Sequence, residues 1–255
     1  MAFAVITGAS SGIGREIAIK LSELGYDIIL AARRGERLIE VSRQLRSPAE
    51  IITIDLSKEE NCYSLYERCR GKDVEILVNN AGFGVFGEFA DTELSRELEM
   101  IDLNIRAVHI LTKLFLADFK EKNRGKILNV ASAAGFMPAG PMLSAYYATK
   151  AYVLSLTRGI AQELKKSGSG VSVSALCPGP VKTEFGSVAG VNLAMSIKGI
   201  SAEAAASDAV RGMLSGKTVI IPGVHIRSGK ALMRLVPDNV ITALVYKFQK
   251  AKEDK

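Results

Sequence analysis

Seven short apolar runs recur along this 255-residue chain, with longer helix-like segments between them. Runs such as Ile76-Leu77-Val78 are continuous and do not alternate with polar residues, which is typical of parallel strands buried on both faces. The predicted strands are 3–7, 27–31, 50–54, 75–79, 126–131, 171–176 and 218–221. The repeated order of strand, helix and strand predicts an α/β fold with one doubly wound, mostly parallel seven-stranded sheet and helices on both faces.

The composition is ordinary for a globular protein, with 48% hydrophobic and 24% charged residues. No internal repeat or interdomain linker interrupts the sequence, so residues 1–255 are predicted to form a single domain. The apolar N-terminus has no basic residues before it and runs directly into a glycine turn. It is therefore predicted to be the first strand of a cytoplasmic protein and not a signal peptide. The sequence has no uninterrupted apolar run of 18 residues, so no transmembrane segment is predicted.

Metal and nucleic-acid ligands are not predicted. The two histidines, His109 and His225, are far apart and are not flanked by clusters of ligand-type residues. The three cysteines do not form a Cys-x-x-Cys pair, and we expect reduced structural thiols. The net charge of +6 is modest and is not accompanied by an interleaved aromatic motif, which disfavours nucleic acid as a partner.

A glycine-rich turn follows the first strand and precedes the first helix, with the sequence Thr7-Gly8-Ala9-Ser10-Ser11-Gly12-Ile13-Gly14. Glycines let the backbone approach a pyrophosphate, and the helix N-terminus supplies N–H donors. The turn lacks the Gly-Lys-Ser/Thr ending of a P-loop, so nucleotide hydrolysis is disfavoured. A tight turn without a ligand is the alternative, but the position after the first strand favours cofactor binding. The predicted contacts are Gly8, Ser10, Ser11, Gly12, Ile13 and Gly14.

Tyr146 and Lys150 are four residues apart, which places them one turn apart on one face of a helix. A nearby ammonium stabilises phenolate and so lowers the pKa of a tyrosine from its reference near 10. A phenol tuned toward neutral pH can act as a general acid or base. The spacing also occurs by chance on many helices, so its weight comes from the motifs around it.

Taken together, the motifs resemble those of the classical short-chain dehydrogenases/reductases. The resemblance covers most of the chain in the family's order, and its elements are the glycine turn, Asn79-Asn80-Ala81-Gly82, Tyr146-x-x-x-Lys150 and Pro178-Gly179. It implies a Rossmann fold, a nicotinamide cofactor and transfer of hydride between that cofactor and a carbonyl or secondary alcohol. It also implies that Asn80, Ala81, Gly82, Pro178 and Gly179 contact the cofactor.

The resemblance implies four catalytic positions. Tyr146 would exchange the proton with the substrate oxygen, and Lys150 would lower the pKa of Tyr146 and hold the nicotinamide ribose. Ser132 would hydrogen bond to the substrate oxygen, and Asn104 would hold a water that links Lys150 to solvent. Tyr147 departs from the family, which more often has a small residue there, and it is also within reach of Lys150. The family spacing selects Tyr146 as the proton donor.

The end of the second strand predicts which nicotinamide cofactor is used. An acid usually stands there to bind the ribose 2′-hydroxyl, but this strand ends in Arg33 and Arg34. Arginine forms charge-assisted hydrogen bonds to phosphate, so NADP(H) is predicted over NAD(H), with Arg33 as the first choice and Arg34 as the second. The alternative is that Arg33 and Arg34 are exposed loop residues without a ligand.

Further cofactor contacts follow from the resemblance. Asp55, with Leu56 beside it, matches the family position that meets the adenine amino group, although Asp55 could instead cap the helix that begins near Ser57. Thr183 resembles the residue that binds the nicotinamide carboxamide, and the backbone of Val181 is expected to assist it.

The substrate is expected to be an apolar carbonyl compound, because two largely apolar segments, 134–143 and 184–200, should face the nicotinamide. Self-packing of these side chains is the alternative. Residues 184–200 contain glycines that would let them move as a lid. The apolar and basic tail, 223–255, is predicted to pack on the domain or in an oligomer interface. The resemblance implies a homodimer or homotetramer through helices near 94–122 and 145–166.

Two other functions are kept as alternatives. A non-catalytic NADP(H)-binding regulator would be expected to lack part of the catalytic group, and none is missing here. A sugar-nucleotide epimerase or dehydratase usually carries a larger C-terminal substrate domain than this chain has room for. An NADP(H)-dependent carbonyl reductase or alcohol dehydrogenase is therefore the favoured function.

Overall fold

The computed structural model describes residues 2–190, 199–223, 226–228 and 235–251. Seven strands form one sheet in which every pair of neighbours is parallel. The described residues contain nine strands in all: β1 (Phe3–Thr7), β2 (Asp27–Ala32), β3 (Ala49–Thr53), β4 (Val74–Asn79), β5 (Gly125–Val130), β6 (Val171–Leu176), β7 (Val181–Lys182), β8 (Ile200–Ser201) and β9 (Val219–Ile220). The sheet has the order β3-β2-β1-β4-β5-β6-β9, and β7 pairs separately with β8. The predicted doubly wound α/β fold is confirmed.

Helices connect these strands. They are α1 (Gly12–Glu23), α2 (Gly35–Ser42), α3 (Glu59–Cys69), α4 (Leu94–Ile101), α5 (Val108–Glu121), α6 (Ser144–Lys166), α7 (Phe185–Ala189), α8 (Ala202–Leu214) and α9 (Asp238–Lys250). A π-helical segment, Asp102–Ala107, joins α4 to α5, and a 3₁₀ turn, Ala133–Phe136, follows β5. Within the described part of the chain, no helix is long and apolar enough to cross a membrane.

Both faces of the sheet are buried, which explains the continuous apolar runs. Along β1, Val5 packs into the cluster that contains Phe115 of α5, whereas Ala4 and Ile6 pack into the cluster that contains Ile17 of α1. All five side chains are almost completely inaccessible to solvent. Because successive residues of a strand point to opposite faces, a strand covered by helices on both sides has no solvent-facing position to fill with polar residues.

The strand order places a ligand site at the carboxyl edge of the sheet. β1 lies between β2 and β4, and the chain leaves β1 toward one side and β4 toward the other. In open α/β sheets, the crevice at such a reversal of strand order is where ligands bind.

Two predicted segments extend beyond the described residues. Residues 191–198 of the predicted lid, 184–200, lie outside them, as do residues 224–225, 229–234 and 252–255 of the predicted tail, 223–255. The described part of the tail contains α9, and the described part of the lid contains α7.

Candidate active site

A cleft of about 980 Å³ lies at the carboxyl edge of the sheet. Its walls include nearly all of the site residues that the sequence predicts: Gly8, Ser10, Ser11, Gly12, Ile13, Arg33, Arg34, Asp55, Leu56, Asn80, Ala81, Gly82, Ser132, Tyr146, Lys150, Pro178, Gly179, Val181 and Thr183. The other two, Gly14 and Asn104, are buried and contact the wall residues Asn80 and Gly82.

Glycine is required in the turn after β1. Gly8 has a φ of +64°, and a Cβ on it would lie 2.8 Å from the Cα of Ala81. A Cβ on Gly14 would lie 2.3 Å from Nδ2 of Asn80. That amide donates hydrogen bonds to the carbonyl oxygens of Thr7 and Gly8 at 3.0 and 3.1 Å. The loops after β1 and β4 are thus tied together beneath the cleft.

The turn has the donor set that a pyrophosphate needs. α1 begins at Gly12 at the cleft wall, and its first turn contains no acidic residue. The N-terminal N–H groups of a helix lack intrahelical acceptors and carry a positive partial charge. The absence of a side chain at Gly8 leaves backbone exposed to the cleft, so the residues present fit a dinucleotide phosphate.

The two arginines after β2 have different partners. Arg34 donates through Nη2 to the Ser11 hydroxyl at 2.8 Å and to the Ser10 hydroxyl at 3.1 Å, so it lies against the glycine turn. Arg33 instead forms an ion pair with Glu99 at 2.9 Å. Both line the cleft, but the one in contact with the turn is Arg34, the second choice of the sequence analysis.

The Asp55 side chain has the partners of a local turn. Its Oδ1 accepts hydrogen bonds from the backbone N–H and the hydroxyl of Ser57, at 3.1 and 2.8 Å. This is the contact of an Asx turn and not the helix N-cap that the sequence left open, because α3 begins at Glu59 and its N-cap is Lys58. Asp55 also lines the cleft, where adenine recognition requires it to be.

Tyr146 and Lys150 lie on one face of α6, and both side chains are buried. The Lys150 ammonium donates a hydrogen bond to the carbonyl oxygen of Val130 at 2.9 Å and lies 5.8 Å from the centroid of the Tyr146 ring. Ser132 is close enough to the Tyr146 phenol to act on its pKa. The structure therefore brings these three predicted residues together at the end of β5.

Burial determines the ionisation of this group. It raises the pKa of Tyr146 to about 12, against an opposing contribution from Ser132. It lowers the pKa of Lys150 to about 8. The expectation that Lys150 lowers the pKa of Tyr146 is not met by the protein groups alone, because desolvation of the phenol is the largest contribution and Lys150 is not among the groups that shift this pKa.

Asn104 lies in the π-helical segment between α4 and α5. Its Oδ1 accepts from the N–H of Phe83 at 3.1 Å, and its Nδ2 donates to the carbonyl of Phe83 at 2.9 Å and to the Thr149 hydroxyl at 3.1 Å. A Cβ on Gly82 would lie 2.7 Å from Asn104 Oδ1 and 3.4 Å from Lys150 Nζ. The three residues are therefore adjacent, and π-helical segments often occur at functional sites.

Comparison with known proteins identifies the family. The protein-family model that is described as short chain dehydrogenase matches residues 2–191 of this chain. The chain belongs to the short-chain dehydrogenase family. An uncharacterized oxidoreductase of Staphylococcus epidermidis is 35% identical over 182 residues, which cover 71% of this chain and 78% of that protein. The very-long-chain 3-oxoacyl-CoA reductase-B of Danio rerio is 33% identical over 197 residues, which cover 73% of this chain and 61% of that protein.

Solved structures of family members agree with this assignment. A short-chain dehydrogenase from Sphingobium yanoikuyae in complex with NADPH has a TM-score of 0.82 and 30% identity, covering 93% of this chain and 97% of that one. A short chain dehydrogenase/reductase from Burkholderia phymatum in complex with NAD has a TM-score of 0.81 and 25% identity, covering 91% and 92%. This member of the family is therefore an oxidoreductase that uses a nicotinamide cofactor.

Two charged residues of the cleft region, Glu184 and Arg37, are not predicted from the sequence. Glu184, directly after Thr183, pairs with Arg34 at 2.8 Å and also with Arg37, on α2. Glu184 was seen only as the first residue of an apolar segment. The only sequence signal was an acidic residue next to a predicted cofactor contact. The fold brings this residue to Arg37 and Arg34, which are 147 and 150 residues away in the sequence.

The tail contributes a further wall of the cleft. Ile241, Leu244, Val245 and Phe248 of α9 line the cleft, together with Gln249. The buried Gln249 amide donates a hydrogen bond to the Tyr147 hydroxyl at 3.3 Å. Tyr147 therefore faces the tail, and Tyr146 has the contact with Ser132. Apolar residues at helical spacing in the tail were the signal, but the sequence does not show what they pack against.

Proposed function

We propose that the chain is an NADP(H)-dependent oxidoreductase that interconverts an apolar carbonyl compound and its secondary alcohol. The observation that supports this most directly is the buried contact of Tyr146 with Ser132 and Lys150 in the same cleft as the glycine turn. A phenol for proton transfer and a dinucleotide cradle in one cavity are the two components that hydride transfer to a carbonyl requires.

The residues around the turn support the preference for NADP(H). The first turn of α1 would hold the pyrophosphate, and Arg34, fixed by Ser10 and Ser11, is the side chain we assign to the 2′-phosphate. Arg37 adds a second guanidinium nearby. The Sphingobium yanoikuyae relative was solved with NADPH, whereas the Burkholderia phymatum relative was solved with NAD, so the relatives do not decide between the two cofactors. The preference for NADP(H) therefore rests on the arginines of this chain. When bound, the nicotinamide supplies or accepts the hydride.

The proton chemistry follows from the two pKa values. With a pKa raised to about 12 by burial, Tyr146 is protonated at neutral pH and can donate to a carbonyl oxygen. Ser132, next to the same phenol, would hold the substrate oxygen beside it. Lys150, whose pKa burial lowers to about 8, is cationic at neutral pH and stabilises negative charge that develops at the substrate oxygen and the phenol. Asn104, anchored on Phe83 and Thr149, is the residue that would hold a water linking Lys150 to solvent.

The remaining walls favour an apolar substrate. Met137, Leu143 and Phe185 face the cleft from the chain segments next to Tyr146, and α9 closes the opposite side with aliphatic and aromatic side chains. The Danio rerio relative is named for a very-long-chain 3-oxoacyl-CoA, whose acyl chain next to the ketone is apolar, and this supports an apolar carbonyl group environment here.

The experiment that tests this function is a spectrophotometric assay of a panel of apolar ketones with NADPH and with NADH. We expect turnover with NADPH, and Tyr146→Phe should lower kcat by about 10²- to 10⁴-fold, the usual contribution of a general acid. Tyr147→Phe is the matched control, because it removes a hydroxyl whose partner is Gln249, and it should keep most of the activity. Equal losses in both variants, with cofactor binding intact, would refute the assignment of Tyr146.

Three further predictions belong to the same proposal. We infer a single domain over 1–255, a homodimer or homotetramer, and a cytoplasmic location. A non-catalytic regulator gains no support, because the relatives named above are described as oxidoreductases, dehydrogenases or reductases. Tight NADPH binding without turnover of any carbonyl or alcohol would favour the non-catalytic regulator.

A further inference from the structure

Glu184 links three segments around the arginines of the cleft. Its Oε2 accepts from Arg34 Nη1 at 2.8 Å, and its Oε1 accepts from Arg37 Nη1. Arg34 belongs to the loop after β2, Arg37 to α2, and Glu184 to the loop after β7. Because Arg34 also donates to Ser10 and Ser11, this carboxylate is bound at the edge of the glycine turn.

The arrangement is already that of a bound anion. Two guanidinium groups converge on the two oxygens of one carboxylate, and planar guanidinium donors bind carboxylate and phosphate oxygens in the same manner. The two arginines hold the pKa of the Glu184 carboxyl at about 2, well below its usual value, so the carboxylate is charged at any physiological pH. The three side chains are 42–44% exposed, so an incoming ligand can reach them.

We propose that Glu184 is an internal competitor of the cofactor 2′-phosphate, which displaces the carboxylate from Arg34 and Arg37 on binding. This inference rests on the NADP(H) preference proposed above. Glu184 would then be a residue that sets cofactor specificity: it weakens binding of every 2′-phosphorylated ligand and leaves ligands with a free 2′-hydroxyl unaffected.

The displacement has a path to the catalytic group. Glu184 is followed directly by Phe185, whose ring centroid lies 5.2 Å from that of Tyr146. On the other side, the Thr183 hydroxyl accepts a hydrogen bond from the N–H of Phe185 at 3.3 Å. Release of Glu184 removes the ion pairs that hold this segment against α2. We therefore expect the backbone of 184–189 to become more open when a 2′-phosphate binds.

The test is isothermal titration calorimetry with adenosine 2′,5′-bisphosphate and with 5′-AMP, which lacks the 2′-phosphate. Glu184→Gln should bind the bisphosphate about tenfold more tightly than the wild type, the factor that two ion pairs of ordinary surface strength provide. Its affinity for 5′-AMP should not change. Glu36→Gln is the charge-matched control: Glu36 is exposed in the first turn of α2 and makes no ion pair within the described ranges.

Unchanged or weaker binding of the bisphosphate by Glu184→Gln would overturn the proposal, because Glu184 would then merely position the arginines. If the wild type binds both ligands equally, the NADP(H) preference is wrong. In that case a bisphosphate preference gained by Glu184→Gln still supports competition, and no gain refutes it. In hydrogen exchange, 184–189 should exchange faster with the bisphosphate than with 5′-AMP, and equal rates would refute the release of this segment.

Discussion

Lys150 is a charge that the fold buries at an energetic cost. Its side chain is almost completely buried, its ammonium donates a hydrogen bond to the carbonyl oxygen of Val130, and burial lowers its pKa from 10.5 to about 8. A lysine whose pKa is lower in the folded state binds fewer protons there than in the unfolded chain between these two values. Stability from this group therefore rises as pH increases from about 8 to 10.5, and the full cost applies below pH 8.

Lys150→Met should accordingly stabilise the protein at neutral pH while it removes activity. The lowered pKa of Lys150 corresponds to a cost of about 3 kcal/mol, which the substitution removes. Loss of the hydrogen bond to Val130 costs about 1 kcal/mol, so we expect the free energy of unfolding at pH 7 to increase by about 2 kcal/mol. Urea denaturation at pH 7 and 9.5 measures it, and the gain over wild type should shrink at the higher pH. Lys217→Met, at an exposed position, is the control. A variant that is less stable than wild type at pH 7 would contradict the argument.

The choice between Arg33 and Arg34 shows what the sequence resolves at the level of single residues. Absence of an acid after β2 predicted a basic site, and both arginines line the cleft. Their order could not be predicted, because adjacent residues leaving a strand point in different directions and each guanidinium takes the nearest acceptor. Arg33 forms an ion pair with Glu99 of α4, whereas Arg34 donates hydrogen bonds to the serines of the glycine turn.

At the level of elements, strands were easier to predict than interruptions of helices. The starts and ends of β1 to β6 lie within one residue of the predicted positions, because a strand buried on both faces leaves an unbroken apolar run. The helix predicted over 94–122 contains the π-helical segment Asp102–Ala107. A single π-helical turn leaves the apolar pattern of the helix nearly intact. The family resemblance could therefore identify Asn104, but the sequence did not predict the π-helical backbone around it.

α9 gives a prediction at this scale. Ile241 is buried and lines the cleft, whereas its neighbour Val240 is 44% exposed. An aspartate at 241 would place a charge against an apolar substrate, so Ile241→Asp should raise KM for an apolar ketone by about tenfold or more. Binding of NADPH, measured by fluorescence titration, should change little and reports that the variant is folded. Val240→Asp is the matched control. If both variants have the wild-type KM, α9 is not a wall of the substrate site.

The molecule as a whole exposes apolar side chains on the helices that the family resemblance assigns to a subunit interface. Leu94 and Leu98 of α4 are 68% and 50% exposed, and Tyr152 of α6 is 36% exposed. Tyr152 is joined to His109 of α5 by a hydrogen bond of 2.6 Å, so α5 and α6 form one continuous surface. Single exposed apolar residues are normal, but several on neighbouring helices indicate contact with another protein surface.

We expect this surface to form the interface of a homo-oligomer, and Leu98→Glu should disrupt it. Two copies of a carboxylate near a twofold axis would face each other across an apolar contact, which destabilises association through desolvation and like-charge repulsion. Size-exclusion chromatography with light scattering should give a dimer or tetramer for the wild type and a smaller species for the variant. Leu24→Glu introduces the same charge at a site that is 55% exposed at the end of α1, and it should leave the assembly intact. A wild-type monomer would refute the oligomer, and a Leu98→Glu variant of unchanged mass would move the interface to another surface.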